Sequence, residues 1–175
     1  MRSAGVSRPA PGGPPQADHP NVFPAATGYS ATEWDLITGL PGRVIAVATQ
    51  PGPGRPYPGV AAGLAGLEAV AAGRAFDSDL VRAVVAAIYT RHEEASAPQP
   101  QPRPADLVDV LAACRAVVRI LDRRADLADS AAYRQWVQSV AARVCRAGSA
   151  VPPDGTLAPV DRRLLDRIGG ALALR

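Results

Sequence analysis

There is no lysine in this chain; all 19 basic residues are arginine. That excludes a lysine Schiff base and a lysine-bearing phosphate loop, whatever the fold. Cysteine and histidine are nearly as scarce, with two of each. Cys114 and Cys145 lack the CxxC spacing of a zinc or redox motif. Both fall on the apolar side of a predicted helix, where a thiol behaves as a small hydrophobe; a disulfide between facing helices is the alternative. His92-Glu93-Glu94 has the start of an HExxH helix, but no second histidine follows at the needed position. His19 sits among prolines near the N-terminus. A thiol–imidazole pair would need one of the cysteines beside His92, and both thiols are expected to be buried.

Aromatic residues make up only 5% of the chain. Alanine, valine and leucine dominate instead, which favours closely approaching helices with small contact residues over an aromatic-lined cavity. No uninterrupted apolar run approaches the roughly 20 residues that span a bilayer. Residues 60–73 come nearest, and they carry Glu68. Arg2 is not followed by an apolar stretch, so no secretory signal is expected. The expected location is cytoplasmic, with no membrane contact.

What is present is 175 residues, 47% of them hydrophobic, enough for one domain with a core. The net charge of +3 is a small excess, and the charges alternate in sign along the chain. A nucleic-acid binder concentrates positive charge on one face, so nucleic acid is not the expected partner.

The most regular signal is Pro104 to Arg124. Leu107, Leu111, Cys114, Val118 and Leu121 recur at spacings of four and three, the mark of one helical face. Val108, Val110, Val117 and Ile120 widen that face, so this helix should be covered on more than one side. Residues 1–29, rich in proline and glycine, form a tail expected to be disordered. Phe23 and Tyr29 near its end offer a way to pin it to the domain. Residues 30–175 are one expected helical domain, with halves 30–95 and 105–175 joined by a proline-rich linker at 96–104.

Ser30-Ala-Thr-Glu33 has the form of a capping box, and Trp34, Ile37 and Leu40 follow on one face. Gly39 and Pro41 then interrupt. Either a second helix opens at Pro41 or a single helix kinks there before reaching about Thr49. Residues 50–58 form a Pro/Gly loop without the pattern that cradles phosphate. Gly59 to Gly73 is a small-residue helix with Leu64, Leu67 and Val70 assigned to its buried side. Gly63 and Gly66 weaken it, which makes sense if another helix comes close. Asp77-Ser78-Asp79 caps the next helix, whose core stripe includes Leu80, Val81, Val84, Val85 and Ile88. In the second half, Asp129 or Ser130 caps residues 131–147, with Tyr133, Trp136, Val137 and Val140 inward. Pro159 fits the first position of a last helix. The expectation is an all-α bundle of about six helices, built as two pseudo-repeated three-helix units.

This order of signals resembles the tellurite-resistance-B-type helical fold. The likeness lies in Ser30-Ala-Thr-Glu33-Trp34, the Pro41 break, Tyr133-Arg-Gln-Trp136 and the short final helix, across residues 30–174. The resemblance implies the fold. It also implies a metal- or small-molecule-responsive stress protein as one function, although the chain has no convincing version of that family's acidic metal-binding set.

Two constellations remain. Asp122, Asp126 and Asp129 place three carboxylates around one turn, a possible hard-cation site among ordinary capping residues. Arg115, Arg119 and Arg123 repeat at i, i+4 and i+8, a candidate docking line for an acidic partner or phosphates. The alternative is a solvated face paired with Asp109, Asp122 and Asp126. No aromatics are interleaved, which argues against stacking on single strands. No catalytic, cofactor or metal set emerges. The leading expectation is a non-enzymatic, cytosolic interaction protein with an unidentified protein partner.

Overall fold

The structure, a computed structural model, describes residues 28–51, 59–94, 106–148 and 156–174. The assigned linker and most of the assigned tail lie outside these residues. Six α-helices account for nearly all of what is described, and no strand occurs among the described residues. They are α1 (Ala31–Ala48), α2 (Gly59–Ala72), α3 (Asp79–Glu94), α4 (Leu107–Arg124), α5 (Leu127–Gly148) and α6 (Pro159–Ala171), with a 3-10 turn at Gly73–Ala75 after α2. A single cluster of buried aliphatic side chains draws on all six.

Local chemistry sets most of the helix starts. Ser30 and Glu33 form the full capping box: the Ser30 amide donates to Glu33 at 2.9 Å, and the Glu33 amide donates to Ser30 Oγ at 3.2 Å. Ser78 Oγ accepts from the Val81 amide at the head of α3. Asp106 accepts from the Val108 amide at the head of α4. Pro159 occupies the first turn of α6. The cap of α5 corrects the sequence assignment. Asp126 is the residue that accepts from the Asp129 amide, at 2.9 Å, and the helix begins at Leu127. Leu127 is almost fully exposed and gives no periodic signal, so the pattern only becomes visible a turn later. Ser130 lies inside the helix, buried, accepting from Arg134 at 2.7 Å.

α1 runs unbroken through Pro41. Proline has no amide hydrogen, so the carbonyl four residues back, on Ile37, loses its helical donor. Tyr133 replaces it: its hydroxyl donates to the Ile37 carbonyl at 2.7 Å, in a fully buried contact 96 residues away in sequence. Burial also pushes the Tyr133 phenol well above its ordinary pKa, so it stays protonated and able to donate. One turn along α5, the indole of Trp136 donates to the Ala69 carbonyl at 3.2 Å. That carbonyl lies in the last turn of α2. The two rings meet edge to face at 5.8 Å. A single face of α5 thus hydrogen-bonds to the backbone of two helices from the other half.

α2 lies closely along α5, and the small residues make this possible. A Cβ on Gly66 would stand 2.8 Å from both Ile45 and Val144, and one on Gly73 would stand 2.7 Å from the Trp136 indole nitrogen. Within each half the first helix touches the second and third; α5 also touches α6 directly, whereas α3 meets the 3-10 turn after α2.

Replacing Tyr133 by Phe should leave the Ile37 carbonyl buried without a donor and cost about 1–3 kcal/mol in urea unfolding. In a Pro41→Ala background the residue-41 amide can supply the missing bond, and the loss should fall below ~1 kcal/mol. Equal losses in both backgrounds would sever the link between the proline and the tyrosine.

Candidate functional site

α2 is the most apolar of the described helices, and Glu68 is its one charged residue. Such a helix should be enclosed on all sides. It is not. Ala62, Gly66, Ala69 and Val70 face inward, whereas Val60, Leu64 and Leu67 are 76%, 54% and 56% exposed. The assignment of Leu64 and Leu67 to the buried side is therefore overturned. Residues 60, 64 and 67 follow the spacing of four and three that aligns a face, nearly opposite residues 62, 66 and 69. Both faces carry the same periodicity, and the closeness of α5 selects the one with the smaller side chains. The stripe of small residues at 62, 66, 69 and 73 was the signal in the sequence that could have found this. What remains is an exposed apolar seam, with half-buried Ala71 extending it by one more turn.

The arginine line is present on the surface of α4. Arg115, Arg119 and Arg123 are all exposed. Arg123 and Arg124 each approach the Glu33 carboxylate at 3.6 Å, tying α4 to the head of α1. The expected pairing of the line with Asp109, Asp122 and Asp126 does not occur. Asp122 pairs with Arg134 on α5 instead. Arg115 and Arg119 form no ion pair among the described residues.

Each of the three aspartates has a structural task. Asp122 holds Arg134, Asp126 caps α5, and Asp129 accepts a hydrogen bond from the Ser78 hydroxyl at 2.6 Å. The last contact ties the start of α3 to the start of α5. Tyr29 packs here against Trp34, ring centres 5.8 Å apart. Its phenol is raised by burial first, then by the charges of Asp129, Asp126 and Glu33. Glu33 is lowered, chiefly by the hydrogen bond from the Ser30 amide and further by Arg124. No group of three or more histidine, cysteine or acidic side chains is placed to hold a metal ion among the described residues.

His92 is exposed at the end of α3, while Cys114 and Cys145 are fully buried on α4 and α5. The structure therefore does not bring thiol and imidazole together, and neither cysteine is in a disulfide. Burial pushes the Cys114 thiol up to about 11. A groove of about 680 Å³ lies between α5 and α6, lined by Gln135, Gln138, Ser139, Arg143, Arg146 and Asp166 among others. The bare backbone of Gly169 allows the Gln138 amide to lie within 2.9 Å of where a Cβ would stand. No helix among the described residues is long and apolar enough to cross a membrane.

Compared with known proteins, the chain matches no family model, no curated protein and no solved structure.

Both thiols should resist an aromatic disulfide reagent at pH 8 in the native protein and react fully in denaturant, because neither is accessible and Cys114 is held in its unreactive protonated form. Absorbance of the released thiolate measures this. Rapid stoichiometric reaction without denaturant would mean that the core around α4 and α5 is open.

Proposed function

We propose that the protein is a non-enzymatic helical accessory protein of the cytoplasm that works through contacts with other protein chains. The observation that supports this reading is the outer face of α2. Three large aliphatic side chains stand in line on a helix with a single charge, while the same helix turns its small residues to the core. Exposed apolar seams of this kind mark docking faces. Covering Val60, Leu64 and Leu67 would contribute on the order of 3–5 kcal/mol of hydrophobic free energy per chain. The Arg115–Arg119–Arg123 line on α4 is a second surface that would favour an acidic partner.

A second reading is a small-molecule-responsive stress protein, as the tellurite-resistance-B-type resemblance implies. The groove between α5 and α6 is the observation in its favour, with two arginines and Asp166 in its mixed lining able to meet a small charged ligand. In a thermal-shift screen of anionic metabolites, this reading expects a hit that disappears in Arg143→Gln. A screen without such a hit counts against it.

Affinity capture from the source cells separates the leading reading from its rivals. The wild-type chain should retain a stoichiometric protein partner that the double variant Leu64→Arg/Leu67→Arg loses, with unchanged helical circular dichroism because both positions are exposed. Equal retention by both chains, or turnover of a metabolite with no protein retained, would overturn it.

A further inference from the structure

Resting on the reading of the α5–α6 groove as a small-molecule site, we propose that it takes a small acidic zwitterion: a ligand with two carboxylates, one ammonium group and an amide, as in an acidic dipeptide. The charges of the lining set this choice. Arg143 and Arg146 stand about one turn apart on α5, and Asp166 lines the same groove from α6. All three are exposed, and none of them forms an ion pair among the described residues. Opposite charges thus share one groove without neutralising each other. Two cationic groups and one anionic group call for the reverse in a ligand, two negative groups and one positive. A plain dianion would meet Asp166 with like charge, and a simple amine would meet both arginines with like charge. Guanidinium groups also suit carboxylates in particular, through paired N–H donors.

Gln138 adds the amide requirement. Its side chain lines the groove and lies across the bare backbone of Gly169, and its Oε1 is buried without a hydrogen-bond donor. A buried acceptor in that state gains from any donor offered to it. A ligand N–H supplies one once the Gln138 amide turns toward the groove. The end of α6 supplies the apolar part. Ala173 takes a left-handed conformation, φ 54°, which a residue with a Cβ rarely adopts. The Leu174 amide then donates to the Gly169 carbonyl at 3.0 Å and the Ala173 amide to the Gly170 carbonyl at 3.2 Å. This reversal brings Leu174 back into the lining beside the two glycines, where it can meet the methylene carbons of a ligand. The volume of about 680 Å³ falls within the roughly 300–1,000 Å³ of small-molecule sites. Because the charged groups are open to solvent, the affinity is modest, with a dissociation constant on the order of 0.1–1 mM.

Calorimetric titration of the full chain at low salt tests this, with glycyl-glutamate as the probe and its N-acetyl form and glutarate as comparisons. Glycyl-glutamate should bind one to one. The N-acetyl form and glutarate, which lack the ammonium group, should bind about 10-fold more weakly or worse. Arg143→Gln should weaken glycyl-glutamate and the N-acetyl form alike, by about 10-fold. Asp166→Asn should weaken glycyl-glutamate alone and so close the gap between the two. Both positions are exposed, so circular dichroism should not change. Equal binding of the three probes, a gap that survives Asp166→Asn, or no binding of glycyl-glutamate at ~10 mM overturns the proposal. If glutarate binds more tightly than glycyl-glutamate and is lost in Arg143→Gln, the zwitterion fails and the groove reading stands. If no probe binds and the metabolite screen also gives no hit sensitive to Arg143→Gln, both fail.

Discussion

A proline in the middle of a buried helix sets a problem that something must solve, and in this protein the hydroxyl of Tyr133 solves it. Pro41 removes the donor for Ile37, and a carbonyl left bare in a core costs about 1–3 kcal/mol. The bond from Tyr133 fixes the height and rotation of α5 against α1. Three residues on, Trp136 fixes α5 against α2 through the Ala69 carbonyl. Hydrophobic burial is indifferent to small shifts of register. Two directed hydrogen bonds from one helical face are not, and they give the aliphatic core a defined geometry. Pro41 can stay inside α1 because the core supplies what it removes.

The position of α2 follows from that clamp. With the Trp136 ring against Gly73, and Val144 and Ile45 against Gly66, there is no room for larger side chains on the inner face. Ala62, Gly66 and Ala69 therefore go in, with Val70 beside them, and Val60, Leu64 and Leu67 are left outside. The exposed seam is thus coupled to the core. Small residues buried by a close helix–helix approach leave the large ones on the same helix to find cover elsewhere. The charged contacts are of another kind. Glu33 with Arg123 and Arg124, Asp122 with Arg134, and Asp35 with Arg91 are partly exposed and hold helix ends in place. Pairs of that kind contribute little each, about 0–1 kcal/mol.

Features that depend on neighbours in sequence were legible in advance. The Ser30–Glu33 box, Pro159 at the start of α6 and most of the apolar face of α4 appear as the pattern predicts, because each is decided within a few residues; Val108, expected on that face, is exposed at the open first turn of α4. Features decided by distant partners were not. Periodicity locates two candidate faces on α2 and cannot choose between them; only the approach of α5 does. Pro41 marked a new helix start or a kink, but nothing local points to a donor 96 residues on that lets the helix run through it. The arginine line on α4 was readable as a line, whereas its ionic partners depend on how α1 and α5 are placed. The preference of Asp122 for Arg134 is therefore invisible in the chain order.

The tyrosine contact also has a consequence in time. While the polypeptide is being synthesised, residues 31–48 emerge long before residue 133. Until α5 arrives, the Ile37 carbonyl must be hydrated, and the segment around Pro41 must remain in contact with solvent. The amino-terminal half therefore waits, incompletely closed, for the carboxyl-terminal half. The buried bond to Ile37 can form only once residue 133 has been made, so the interior of α1 is completed from the far half of the chain.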